Sequence, residues 1–186
     1  MNPIKNKKDL VATIDDIRNF SYSYLEKYSP SKQQLRIYLF KKLIKINQRK
    51  SSKKEIFNLI DSVITSLVDQ KFLSDRYYSD VKSKAFLKRG YSLNKIRYNL
   101  IKKGIDEKYI KDSISKIKEN ESDPDFFSAI KICKRRRIGP CREESNRTLF
   151  YKKDISILAR SGFSYEISKK VLSIPKEEFK KFCMMI

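Results

Sequence analysis

Lys134-Arg135-Arg136-Arg137 is the densest run of chemically capable side chains in this 186-residue chain, and its chemistry is recognition. Guanidinium groups hold phosphate or carboxylate oxygens in planar two-point contacts and stay charged throughout the physiological range. Arg142, Arg147, Lys152, Lys153 and Arg160 follow closely. The run also suits a helix end, where cations complement the backbone dipole, and both readings stand at this stage. Bond-breaking side chains are scarce. The chain has no histidine, the commonest general acid–base and a usual zinc ligand. Asp15-Asp16 and Glu177-Glu178 are carboxylate pairs, but adjacent residues on a helix point in different directions and cannot act as a dyad. Gly90 and Gly104 are isolated, and Arg89-Gly90-Tyr91-Ser92 does not fit a phosphate-cradling loop. Cys133, Cys141 and Cys183 lack CxxC spacing and read as ordinary thiols of a reducing compartment. The expectation is a protein that is not an enzyme and has no catalytic residue, metal or cofactor.

The charge is large and evenly spread. Lys plus Arg number 43 against 22 acidic residues, a net +21. Lys outnumbers Arg 31 to 12, an imbalance that AT-rich coding produces without functional demand. Distribution is therefore more informative than the total. Residues 1–72 carry +8, 73–119 carry +7 and 120–186 carry +6, which describes an extended basic face rather than a charged tail. Such a face favours polyanionic partners. Tyr77, Tyr78, Tyr91 and Tyr98 could stack on single-stranded bases, although packing roles are commoner for such residues. No apolar run approaches the ~20 residues that span a bilayer. The basic start, Met1 to Lys8, leads into Asp9, Asp15 and Asp16 rather than an apolar stretch. A cytoplasmic protein without membrane contact is expected.

The elements that would position these cations are helices. Gly and Pro are few, four and five, and apolar residues recur at helical spacing nearly everywhere. The first helix carries Ile14, Ile17, Tyr24 and Tyr28 and stops before Ser29-Pro30. Ser31 and Gln34 form a capping box for a helix burying Leu35, Leu39 and Leu43. Lys45 to Lys54 reads as a loop. Residues 53–71 form a helix whose stripe is Ile56, Leu59, Ile60, Val63, Ile64, Leu67 and Val68. A helix capped by Ser74 or Asp75 runs through Lys88. After Gly90, Ser92 caps a helix burying Ile96, Leu100 and Ile101. Gly104 ends it, and Asp106 caps one that buries Tyr109, Ile110, Ile114 and Ile117. Helices are then expected over 126–137 and from about Leu149 to Arg160, separated by a loop over 138–147. Ser164 caps a last repeat helix with Ile167, Val171 and Leu172 buried, and Phe179 to Ile186 is a short helix or a frayed end.

The chain also echoes itself. Ser31, Leu35, Arg36 and Leu39 recur as Ser92, Ile96, Arg97 and Leu100 at an offset of 61. Leu100, Gly104, Ile105 and Asp106 recur as Leu158, Gly162, Phe163 and Ser164 at an offset of 58. Two overlapping echoes imply three copies of one unit. The fold expected is all-α: three tandem three-helix repeats in an elongated, curved, right-to-left stacked array. Its divisions are a basic extension (1–12), repeats over 13–73, 74–119 and 126–175, a linker over 120–125 and a tail over 176–186.

The stretch from Ser74 to Ile114 resembles the central part of the RecX family, the regulators of the RecA recombinase. The residues carrying the resemblance are Asp75-Arg76-Tyr77-Tyr78, Lys88-Arg89-Gly90-Tyr91-Ser92, Ile96-Arg97, Leu100 and Lys103-Gly104-Ile105. Ser31-Lys32-Gln33-Gln34-Leu35-Arg36 is similar to the family's N-terminal block, and Leu158-Ala159-Arg160-Ser161-Gly162-Phe163-Ser164 to its C-terminal block. The family's Arg-Gly is Ser161-Gly162 here, and Tyr78 stands where a small or apolar residue is usual. The resemblance covers about residues 13–175 in the family's order. It implies tandem three-helix repeats that lie in the groove of the RecA filament on single-stranded DNA. There they would span protomers and depress ATP hydrolysis and strand exchange in DNA repair, recombination and the SOS response. Inhibition, disassembly and protection of the filament are all open outcomes.

The contact residues chosen from charge and motif position are Lys88, Arg89, Arg97, Lys102, Lys103, Arg135, Arg136, Arg137, Lys152, Lys153 and Arg160. The partners expected are the RecA filament and single-stranded DNA, engaged by a monomer. The rival readings are a general nucleic-acid-binding protein and a scaffold for other acidic proteins.

Overall fold

The computed structural model describes residues 13–46 and 52–186. The expected extension over 1–12 and the middle of the expected 45–54 loop lie outside the described residues. Among those described there are ten α-helices, one 3-10 turn and no strand. The helices are α1 (Ile14–Lys27), α2 (Lys32–Ile46), α3 (Lys53–Asp69), α4 (Asp75–Lys88) and α5 (Leu93–Lys102). They continue as α6 (Glu107–Asn120), α7 (Pro124–Arg136), α8 (Glu144–Arg160), α9 (Tyr165–Leu172) and α10 (Lys176–Met184), with the 3-10 turn at Gly139–Cys141 between α7 and α8.

Local chemistry sets most of these bounds. Ser31 caps α2 with the expected box: Gln34 N–H donates to Ser31 Oγ at 3.2 Å, and Ser31 N–H donates to Gln34 Oε1 at 3.1 Å. Thr13 with Asp16 and Ser52 with Glu55 do the same for α1 and α3. Gly90, Gly104 and Gly162 each take positive φ where a helix ends.

The chain divides into two compact units. One holds the described residues up to Tyr78 together with Lys103–Ile105. Its core is Ile17, Leu35, Leu39, Leu43, Ile60 and their neighbours from α1, α2 and α3. The other holds Ser79–Lys102 and Asp106–Ile186. Its main cluster joins Phe126, Ala129, Ile130, Ile132 and Cys133 of α7 to Leu158 of α8, Val171 and Leu172 of α9, and Phe179 of α10.

Several expectations are corrected. α8 begins at Glu144, not near Leu149, so the expected 138–147 loop is largely a 3-10 turn and a helical first turn. Residues 143–148 carry no apolar periodicity; Glu144 favours the start electrostatically, and Arg147 anchors it by donating to Leu172 O and Ile174 O at 2.8 and 2.9 Å. Leu59 and Ile101 are 38% and 46% exposed rather than buried, because each sits at the margin of its helix's packed face. Tyr109, Ile114 and Ile167 are only half-buried. Of the two alternatives for the last residues the short helix is the one present: α10, which starts at Lys176, ahead of Phe179, and sets Phe179 in the core. Of the stretch 120–125, only residues 121–123 lie outside helices.

Candidate functional site

The echoed serines do the same job twice. Ser31 Oγ donates to the carbonyl of Lys103 at 2.7 Å, and Ser92 Oγ donates to the carbonyl of Ser161 at 3.0 Å. Each accepting carbonyl directly precedes a positive-φ glycine, Gly104 or Gly162. Beside each serine, the first amide of the helix donates to a carboxylate in the first turn of another helix. Lys32 N–H reaches Asp75 Oδ1 at 2.9 Å, and Leu93 N–H reaches Asp125 Oδ1 at 2.7 Å. One joint belongs to each compact unit. At both, orphan donors of a helix start and a carbonyl at a helix end are satisfied in a single place.

The joints leave no room at the glycines. A Cβ on Gly104 would sit 2.5 Å from Gln33 Cβ, and φ is +74° there. Gly104→Ala is expected to cost about 2 kcal/mol or more in denaturant unfolding, combining left-handed strain with overlap against an atom fixed to the backbone. Asp125 separates the joint's charge from its hydrogen bond. Burial pushes its carboxyl above the ordinary value, opposed by the bond from Leu93. A raised folded pKa means that its contribution is present below the unfolded pKa and lost as pH rises through the folded one. Asp125→Asn, which keeps an acceptor, should therefore be no less stable than the parent at neutral pH and should flatten that dependence. Asp125→Ala orphans the Leu93 amide and should cost about 1–2 kcal/mol.

The basic run at the end of α7 divides into braces and exposed cations. Lys134 Nζ donates to Cys183 O at 3.2 Å, and Arg135 Nη1 to Arg89 O at 3.0 Å, so both cap carbonyls at other helix ends. Arg136 and Arg137 are exposed and, among the described residues, make no ion pair or side-chain hydrogen bond. Arg137 holds φ +53° as the C-cap of α7. The Arg135 contact brings Lys88, Arg89 and the α7 cations together at one place in the second unit. The remaining expected contact residues are exposed but dispersed. Arg97 donates to Glu107 at 2.7 Å. Lys102 lies 4.5 Å over the Tyr98 ring, and Lys153 lies 5.7 Å from that of Phe150. Lys103 belongs to the first unit, where it supplies the joint carbonyl. Lys152 lines a cavity of about 620 Å³ beside Arg147 and Lys176, and Arg160 is the last residue of α8.

Of the candidate stacking tyrosines, Tyr78 is buried and Tyr91 is stacked on Phe86 at 5.2 Å. Tyr77 and Tyr98 are exposed. Cys133 is buried, and burial pushes its thiol far up; Cys141 and Cys183 are raised for the same reason. These thiols are poor nucleophiles. Sequence reasoning missed Asp125 and Asp154 and gave Asp75 only as a possible helix cap and a motif residue; each accepts a hydrogen bond from a residue distant in sequence. Asp154, 1% exposed, accepts from Gly139 N–H at 2.9 Å and from the Arg142 guanidinium twice at 2.8 Å.

Fold and surface define a class: an all-helical, strongly basic protein that sets exposed cations at its helix ends. Comparison with known proteins shows what this chain is similar to. No family model matches the chain. A Myxococcus xanthus (strain DK1622) protein named Regulatory protein RecX is 28% identical over 163 residues, 84% of this chain and 83% of the relative. A protein of the same name from Clostridium tetani (strain Massachusetts / E88) is 29% identical over 114 residues, 61% of this chain and 51% of its own length. The crystal structure of RecX from Lactobacillus salivarius matches with a TM-score of 0.59 at 17% identity, over 90% of this chain and 97% of that one. A second crystal structure of regulatory protein RecX matches with a TM-score of 0.58 at 20% identity, over 85% and 72%. The resemblance to RecX read from the motifs is thus shown by sequence relatives, and the fold by solved structures of the same name.

Proposed function

We propose that this chain regulates the RecA recombinase by docking on the RecA–single-stranded DNA filament and lowering its ATP hydrolysis, with no catalysis of its own. The observation that carries this reading is the relationship to Regulatory protein RecX over 84% of the chain, with the family's motifs in order. The exposed cations supply the docking chemistry: Lys88, Arg89, Arg136 and Arg137 at one corner, Lys102, Lys152, Lys153 and Arg160 elsewhere. The recurrence of the serine–carbonyl and amide–carboxylate joints supports the tandem-repeat organisation over 13–73, 74–119 and 126–175. A repeated ligand meeting a repeated filament gains effective concentration at each further contact. We read the working form as a cytoplasmic monomer.

Direct competition separates this reading from general nucleic-acid binding. Labelled protein should bind RecA filaments on oligo-dT at least about tenfold more tightly than bare oligo-dT, with affinity falling steeply as salt rises. Equal affinity for the two would make the chain a nucleic-acid binder.

A further inference from the structure

Ile114 and Ile167 are two of the core candidates that the amphipathic pattern over-assigns, and both floor the same open groove. It encloses about 800 Å³ in the second unit, between α5, α6 and the starts of α7 and α9. Half-buried Leu93 and Pro124 complete the apolar floor.

The rim charges are of two kinds. Every carboxylate is already engaged: Glu107 by Arg97 at 2.7 Å, Asp123 by Lys170 at 3.2 Å, and Asp125 by the Leu93 amide at 2.7 Å. Two cations hold no close partner. Lys111 and Lys118 are exposed and, among the described residues, make no ion pair, although Lys118 acts on the Asp125 carboxylate at longer range. They flank Ile114 on one stripe of α6, two turns and about 10 Å apart along the axis. The stripe reads cation, apolar, cation.

We propose that this groove is a docking site for an acidic amphipathic helix of a partner protein. Two carboxylates two turns apart would meet Lys111 and Lys118, and an apolar side chain between them would cover Ile114, Leu93 and Ile167. An extended nucleic-acid backbone matches the cations but leaves the apolar floor uncovered, so a peptide satisfies more of the surface. The proposal stands independently of the RecA reading, because it specifies the chemistry of the bound segment and not the protein that carries it.

The test uses the full chain and a fluorescein-labelled helical peptide of about 16 residues, with two Glu two turns apart and Leu between them. Fluorescence anisotropy should show saturable binding. The Lys111→Glu/Lys118→Glu variant should lose about tenfold or more in affinity, and a peptide with Lys in place of both Glu should bind that variant better than it binds the parent. The exchanged pair also verifies that the variant is folded. The proposal is overturned if the variant binds the original peptide as the parent does, or if a scrambled peptide of the same composition binds equally well. It is also overturned if oligo-dT binds in the groove with the same lysine dependence, which would assign the site to nucleic acid.

Discussion

Asp154→Ala should lower the unfolding free energy by about 3 kcal/mol or more, the largest single effect expected on stability. The carboxylate is 1% exposed and accepts three hydrogen bonds, two from Arg142 and one from the Gly139 amide. Removing it strands a guanidinium whose side chain is only 20% exposed, together with the amide of a buried glycine. Breaking one side of a buried pair costs more than the pair is worth, because the remaining charge stays desolvated. The 3-10 turn, the start of α8 and the α9 end held by Arg147 should loosen together. Hydrogen exchange should show faster opening over 138–147 in the variant. Denaturant unfolding within 1 kcal/mol of the parent would mean that Arg142 and Gly139 find new partners.

The second large effect concerns function without loss of fold. Arg136→Glu/Arg137→Gly should weaken filament binding by roughly a hundredfold, while the midpoint of unfolding holds or rises. Arg136 and Arg137 are exposed and brace nothing, unlike Lys134 and Arg135. Glycine at 137 also relieves a left-handed residue, φ +53°, worth about 0.5–1 kcal/mol. Arg135→Glu is the contrasting variant: it removes the bond to the Arg89 carbonyl and should affect both stability and binding. Equal binding by the double variant and the parent would remove this corner from the interface.

What could be read from the sequence was what acts over three or four residues. The Ser31–Gln34 box, the Ser92, Asp106 and Ser164 caps and the left-handed glycines lie where spacing put them, because each is satisfied by its own helix end. The motif that names a family is built from the same local signals. What the sequence hid was tertiary. Nothing local marks Ser31 and Ser92 as donors to distant carbonyls, or Asp125 as the acceptor for Leu93. A charge run does not reveal which of its members reach back to cap a helix, so Arg135 and Arg136 look alike in sequence and differ in the fold. Apolar stripes mark which helix face turns inward and not how much of it is covered, hence the exposed Leu59 and Ile101 and the half-open Ile114 and Ile167.

The central claim is regulation of RecA, and the ATPase rate of RecA on single-stranded DNA, titrated with this protein, tests it most directly. A fall in rate at amounts well below one chain per RecA protomer is the result expected of a ligand that acts on the filament. An unchanged rate across the titration, with tight binding to bare single strands, would contradict it.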